Sequence, residues 1–316
     1  MDEKVALLEQ TQIDPSKAAA CPYCAHSASL LVSSSDLNRR TTDAVFHYYR
    51  CGSCGLVFMH PIPDNMAPYY AGGYQKIPES LAELREIAKE ETYRLEPVLK
   101  HKRNGELLEI GPWIGIFASN AKDAGFQVTA IDIDQACVDF LSDTVGITAI
   151  QSANPSDTLA HLQQEQKFDV IALWHSLEHL PEPWLVVERA AQSLAPGGIL
   201  LIAIPNIESY EFSVLKGGWI HLDAPRHIYF YPEQSLVDLC QKNGLSALEV
   251  ETNDELSLRL SRGSWIEWAA RKVPKRYVKI LGRIAYGLAR RQHRKKSCGA
   301  GLTAVFQKPA APENLP

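Results

Sequence analysis

The sequence predicts an α/β chain built on a doubly wound, mostly parallel sheet with a small metal-bound ribbon in front of it. Three observations carry that prediction. Short apolar runs alternate with stretches of helical period from about residue 105 onward; a glycine turn follows the first of those runs; two C-x-x-C pairs precede the whole pattern. At 316 residues, with 46% hydrophobic and 22% charged residues, the chain is long enough for one large core and a satellite domain.

The opening MDEKVALLEQ is acidic where a secretory signal would be basic and then apolar, so residues 1–20 read as a flexible lead. No apolar run approaches the roughly 20 residues that span a bilayer, and the expected location is cytoplasmic. Residues 21–66 come next. CPYC supplies Cys21 and Cys24, and CGSCG supplies Cys51 and Cys54. Each pair lets two thiolates reach one ion from a tight turn, and two such turns on neighbouring hairpins complete a four-sulfur zinc site. The β-like stretches SLLVSSSD and AVFHYYRC lie between them. A dithiol of the redox kind would need a βαβ setting that residues 20–60 lack. With four ligands filled the ion has no open position, so its expected task is structural. Cys137, Cys240 and Cys298 are left over and read as unpaired.

Residues 67–104 hold the end of a Pro, Gly and Tyr-rich linker, PIPDNMAPYYAGGY, and then ESLAELREIAKEETYRLEPVLKHKR, which reads as one long charged helix. The core, residues 105–256, follows. Its strands are ELLEI, QVTAI, ITAIQ, FDVIALW, GGILLIAI and LSALEVETND, and LTAVFQKP near the end of the chain supplies a seventh. Ligands in such sheets bind beyond the carboxyl ends of the strands, which brings together the turn after ELLEI, the end of VTAIDID and the loop WHSLEHLPEP. Glu109, Gly111 and Gly115 form E-x-G-x-x-x-G, and Asp132 stands about 20 residues on at the second strand end. Glycine allows close approach of backbone to ligand, a helix N-terminus offers amides, and the carboxylate can accept two ribose hydroxyls. The spacing suits an adenosine-containing cofactor. Trp113 and Phe117 break G-x-G-x-x-G, which disfavours a pyrophosphate-cradling dinucleotide site.

LLEIGPWIGIF, VTAIDID, FDVIALWHSLEHLPEP and LAPGGILLIAIPN, in that order, resemble the motifs of class I S-adenosylmethionine-dependent methyltransferases. CPYC, CGSCGLVFMHPIP and WIHLDAPRHIYFYPEQSLVDLCQKNGL resemble segments of a branch of that family with an N-terminal zinc ribbon. The resemblance covers about residues 20–256 and the final LTAVFQKP. It implies a Rossmann-like seven-stranded fold, S-adenosylmethionine as cofactor, Gly111 and Gly115 lining its turn, Glu109 near its amino acid end and Asp132 on its ribose. It also implies a small-molecule or saccharide acceptor, methylated most simply at oxygen. Trp113 stands where the family has a glycine, and SANPSD lacks an acid at the third strand end. An indole there is expected to keep ordinary φ and to pack under the N-terminal domain.

Transfer to a hydroxyl requires donor and acceptor to be positioned and a proton removed, which directs attention to histidines. His175 follows the fourth strand directly and is the candidate base, or else a structural hydrogen bonder; Asp223 and His227 of HLDAPRH form a second acid–base pair, with Arg226 free for an anionic acceptor. His175, Glu178 and His179 have H-x-x-E-H spacing, resembling the E-x-x-E-H set with which some methyltransferases of this fold hold a divalent ion; His221 or His227 would be the fourth ligand.

The formal charge of −5 conceals a segregation. Residues 271–296 carry 11 Lys and Arg and no acid, so the rest has 21 basic against 37 acidic residues, a net of −16. Within an insertion at 257–297, Val273, Tyr277, Ile280 or Leu281, Ile284 and Leu288 recur at helical spacing with cations opposite. This basic helix is either a lid packed over the acceptor pocket or a peripheral contact, through residues 265–296, to a membrane or lipid-linked substrate. No nucleic acid partner is expected, since no reader fold accompanies the cations. Residues 298–316 are the final strand and tail. The rival to an enzyme is a non-catalytic binding protein with a degenerate cofactor turn and the ribbon and basic helix as interaction modules.

Overall fold

The computed structural model describes residues 17–70, 76–253, 255–293 and 298–310. Most of the expected lead, part of the linker at 71–75, and Arg294, Lys295 and Lys296 of the basic run lie outside them.

Seven strands form the large sheet, and each apolar run of the sequence supplies one. They are β5 (Gly105–Ile110), β6 (Phe126–Asp132), β7 (Thr148–Gln151), β8 (Phe168–Trp174), β9 (Leu194–Pro205), β11 (Ser246–Glu251) and β12 (Gly301–Gln307). Their order is β11-β12-β9-β8-β5-β6-β7, parallel except for β12, which runs against both neighbours. The fold is thus the Rossmann-like, mostly parallel seven-stranded sheet expected. Its faces are covered by α4 (Ile116–Asp123), α5 (Gln135–Phe140), α6 (Pro155–Glu165), α7 (Pro183–Ser193) and α9 (Glu233–Lys242). Period-2 alternation in β5 feeds two apolar clusters. Leu108 and Ile110 join one that continues into the ribbon; Leu107 joins the other, with Leu84, Phe117 and Trp174. Both faces being buried, these strands read as unbroken apolar runs.

The ribbon is a second sheet, of β1 (Ala19–Ala20), β2 (Ser27–Ser35), β3 (Val45–Cys51), β4 (Val57–Met59) and β10 (Tyr229–Phe230). Its last strand comes from the core, between β9 and α9: Tyr229 pairs with Phe58 and Phe230 with Val57. A short helix, α1 (Ala67–Tyr70), follows the ribbon. The stretch expected as one long helix is broken into α2 (Leu81–Lys89), a 3-10 turn over Thr92–Leu95 and α3 (Glu96–Leu99). Pro97, which has no N–H to donate back to Tyr93, accounts for the separation of the 3-10 turn from α3. Ser80 caps α2 by accepting from the Glu83 amide, while Glu83 Oε2 accepts from the Glu79 amide at 2.7 Å.

Between β9 and β10 lies α8 (Tyr210–Leu215); between β11 and β12 the insertion forms a hairpin of α10 (Glu255–Ala270) and α11 (Lys275–His293). Gly282 permits its close packing, because a Cβ there would sit 3.0 Å from the Ile266 Cα. Among the described residues no helix is long and apolar enough to cross a membrane.

Candidate active site

β5 stops at Ile110, and the next five residues turn the chain into α4. Gly111 has φ +73° and Gly115 φ +80°, the left-handed region where a Cβ is penalised. Space is short as well: a Cβ on Gly111 would lie 2.6 Å from the Ser176 Cβ, and one on Gly115 2.3 Å from Leu141 Cδ2. The Gly111 amide donates to Ile131 O at 2.8 Å, which locks the turn against the end of β6. α4 begins at Gly115, which has no side chain to cap it, and the Ala118 amide of its first turn meets the Glu109 carboxyl.

Trp113 departs from expectation in two ways. Its φ is +54°, left-handed instead of ordinary, and its indole packs with the α2/α4 apolar cluster, not under the ribbon. The strained conformation aims its amide at Asp132, donating to Oδ2 at 2.9 Å; Oδ1 accepts from Asp134 at the same distance. Burial raises the Asp132 carboxyl, and these amides oppose the shift. A carboxylate has about four lone-pair sites, so capacity for further donors is left.

Glu109 sits on the same face of β5 as Leu107, fully buried, and burial pushes its carboxyl up to about 8 against the pull of Arg94 and the Ala118 amide. Its Oε2 has no partner. Arg94, hidden in sequence within the charged stretch, comes from the 3-10 turn and lies over the Trp174 ring, 5.6 Å from its centroid, with its Nε also unpartnered. Glu109 keeps one carboxyl oxygen without a partner, and Arg94, paired through Nη2 with Glu91 at 2.5 Å, keeps only its Nε unmet; the two groups have the charges that the ends of an amino acid require. Glu109, Asp132, the glycine turn and Arg94 therefore fit S-adenosylmethionine. Nothing in residue spacing pointed to Arg94; only the Pro97 break that folds the turn back could have hinted at it.

The loop after β8 holds the titratable cluster. His175 has φ +51°, a strained value for a non-glycine residue, fixed by its amide donating to Ala203 O at 2.8 Å. Its Nδ1 lies 3.2 Å from Glu178 Oε1, and its buried Nε2 has no partner. Burial alone would raise Glu178, but the His175 hydrogen bond and the surrounding imidazoles bring it down to about 2. An ionised Glu178 can only accept, so His175 donates through Nδ1 and keeps its Nε2 lone pair.

His227 Nδ1 is 2.9 Å from His221 O, which makes Nδ1 the donor; its Nε2 stands 3.9 Å from Glu178 Oε1. His179 likewise meets Arg226 O through Nδ1 at 2.9 Å, and its ring crosses that of His227 with centroids 4.6 Å apart. Burial and the neighbouring His227 lower His179 to about 4. Ligand atoms of Glu178, His179 and His227 lie within 4.8 Å of one another, a grouping a divalent ion could bridge. It differs from the H-x-x-E-H expectation, taking His227 in place of His175. His221 is turned away, its Nε2 3.2 Å from Leu260 O, and burial lowers it to about 4.

Asp223 and Arg226 correct two expectations. Arg226 is fully buried, with Nε and Nη2 at 2.9 and 2.6 Å from the Asp223 oxygens and Nη2 also 2.8 Å from Asp36 Oδ1 on the ribbon. Asn38 donates to Asp223 Oδ1 at 2.5 Å. Burial would raise Asp223, but Arg226 holds it well below the usual carboxylate range. Asp223 is engaged by a clamp and lies 3.9 Å from His227 Nε2, too far for the direct hydrogen bond of an acid–base pair. Arg226 has its guanidinium between two carboxylates, not open to an acceptor.

At the ribbon, Cys21, Cys24, Cys51 and Cys54 meet in one cluster with Sγ separations of 3.7, 3.4 and 3.5 Å for three of the pairs. A tetrahedral zinc with Zn–S near ~2.3 Å sets its sulfurs roughly 3.8 Å apart. The four thiols fit that ion.

Fold, turn and loop together define a nucleotide-cofactor α/β protein whose strand ends carry a histidine–carboxylate pair. A family profile described as a methyltransferase domain matches residues 81–250. The chain belongs to that family, the class I S-adenosylmethionine-dependent methyltransferases. It is 24% identical over 158 residues to a ubiquinone biosynthesis O-methyltransferase of Idiomarina loihiensis, a match spanning 46% of this chain and 63% of that protein. It is 29% identical over 136 residues to a protein of the same name from Burkholderia vietnamiensis, covering 42% and 58%. The chain thus spans about three fifths of the relatives it matches. Among solved structures it resembles a SAM-dependent methyltransferase from Archaeoglobus fulgidus, at TM-score 0.49 and 16% identity over 70% of this chain and 94% of that one.

Proposed function

We propose that this protein transfers a methyl group from S-adenosylmethionine to a hydroxyl of a small-molecule acceptor, with His175 as the base. The observation that carries the reading is the His175–Glu178 pair after β8, in a loop that Ser176 ties to the end of β5 by donating to Ile110 O at 2.7 Å, where the Gly111–Gly115 turn begins. Glu178 fixes the imidazole with its Nδ1 proton inward, which leaves Nε2 to take the acceptor's proton. The cofactor, when bound, supplies the methyl group on a sulfonium. Asp132 would accept from its ribose hydroxyls, Glu109 would pair with its ammonium and Arg94 with its carboxylate. Relatives named for ubiquinone biosynthesis O-methylation support oxygen as the receiving atom; a saccharide hydroxyl would meet the same geometry.

Cys21, Cys24, Cys51 and Cys54 hold a structural zinc in this reading. The ribbon it braces carries Asp36, and through Arg226 it fixes the loop that presents His227. His227 then faces the same carboxylate as His175 and lends the site a second imidazole. Asp223 serves the clamp and takes no proton.

The test separates binding from chemistry. S-adenosylhomocysteine binding is measured by calorimetry, and transfer of labelled methyl groups is measured against a panel of hydroxylated aromatics and sugars. His175→Ala should leave affinity within roughly threefold and lower turnover by ~100-fold or more. Unchanged turnover would remove His175 as the base.

A further inference from the structure

α11 presents an apolar stripe that no described residue of the chain covers. Tyr277, Ile280, Ile284 and Leu288 are 46 to 64% exposed, and at 3.6 residues per turn they fall within an arc of roughly 80°. The opposite side of the helix is the packed one. Gly282 and Ala289 are buried there, the former against Ile266 of α10. Sequence periodicity alone would seat the stripe in the core as a lid; the hairpin packing uses the small residues and turns the large ones out.

Charge decides what could cover the stripe. Arg276, Arg283 and Arg290 are exposed along one flank, Arg291 is exposed within the arc of the stripe, and the exposed Lys275 and Lys279 stand further round. The remainder of the chain has a net charge of −16 outside 271–296, so any anionic surface would repel the body and attract this helix. Aliphatic residues flanked by cations on a helix unable to span a bilayer are the pattern of a helix lying in the headgroup boundary.

We propose that α11 docks the protein on an anionic lipid surface, with Tyr277, Ile280, Ile284 and Leu288 entering the headgroup–acyl boundary and the adjoining arginines pairing with lipid phosphates. The hairpin also reaches the HLDAPRH loop, since His221 Nε2 meets Leu260 O of α10 at 3.2 Å.

Co-sedimentation of the full chain with phosphatidylcholine vesicles, with and without phosphatidylglycerol, tests this independently of methyl transfer. Binding should require phosphatidylglycerol and weaken as salt is raised. The triple variant Ile280→Ser, Ile284→Ser, Leu288→Ser should bind at least about tenfold more weakly, with melting temperature and S-adenosylhomocysteine affinity retained as evidence of a folded protein. Arg276→Gln, Arg283→Gln and Arg290→Gln together should erase the preference for phosphatidylglycerol. No binding to anionic vesicles, or equal binding by the triple serine variant, overturns the proposal. Concentration-dependent self-association abolished by the same variant, without vesicle binding, would assign the stripe to a second copy and overturn it as well.

Discussion

Glu109 is a carboxyl that folding discourages from ionising. Its folded pKa of about 8 stands above the ordinary 4.5, so the protonated form is favoured; the stability this group contributes is fully present below about pH 4.5 and is lost as pH rises through about 8. A cofactor ammonium beside it, as proposed, would reverse the preference, and binding would then release a proton. Affinity for S-adenosylhomocysteine should accordingly rise between about pH 6 and pH 8 and flatten above, while Glu109→Gln should bind more weakly with little slope; calorimetry at three pH values reads this, and equal slopes would separate Glu109 from the amino acid end. Asp132→Ala should weaken binding by about 1 to 3 kcal/mol through lost charge-assisted hydrogen bonds. Trp113→Gly keeps the amide that meets Asp132 and relieves a left-handed residue, so affinity should stay within roughly threefold, under about 0.7 kcal/mol; a tenfold loss would put the indole in the pocket. Glu109, Gly111, Gly115, Asp132 and His175 could be nominated from sequence because each sits at a fixed offset from a strand end. Arg94 could not, nor could the Trp113 conformation. Both depend on how remote segments fold back, and local spacing carries no record of that.

The ribbon and the HLDAPRH loop behave as one element. β10 pairs with β4, Met59 donates to Ile228 O at 2.9 Å, and Arg226 joins Asp36 to Asp223 without exposure to solvent. The C-x-x-C pairs announced the ribbon, and apolar alternation announced all seven strands of the large sheet. The dependence of one on the other was not legible, because an Asp and an Arg 190 residues apart leave no joint pattern in a single sequence. Arg226→Met removes one partner of a buried cluster and leaves carboxylates uncompensated, so it should lower stability by about 3 to 5 kcal/mol in a denaturant titration; a loss below about 1 kcal/mol would mean that water reaches the clamp. Metal analysis should find zinc held by the ribbon, with Cys51→Ser losing it. Such loss should reduce turnover through the His227 loop while S-adenosylhomocysteine affinity persists, since the cofactor turn belongs to β5 and α4. Zinc that survives Cys51→Ser but leaves in Glu178→Gln would place an ion at the Glu178–His179–His227 cluster instead.

Across the whole molecule, charge and chemistry are divided between ends. The strand ends carry the cofactor turn and the histidine–carboxylate pair, the ribbon stiffens the loop over them, and the basic hairpin lies beside that loop with its apolar stripe outward. Sequence foretold the segregation of charge; it could not tell a buried apolar stripe from an exposed one, because the small residues that pack the hairpin have the same helical period as the large ones that do not. The central claim is that the turn at Gly111–Gly115 holds S-adenosylmethionine. Isothermal titration of the full chain with S-adenosylhomocysteine tests it most directly. One site per chain, weakened by Asp132→Ala, is the predicted result; no heat of binding at millimolar ligand would contradict it and leave a binding protein with a decayed turn.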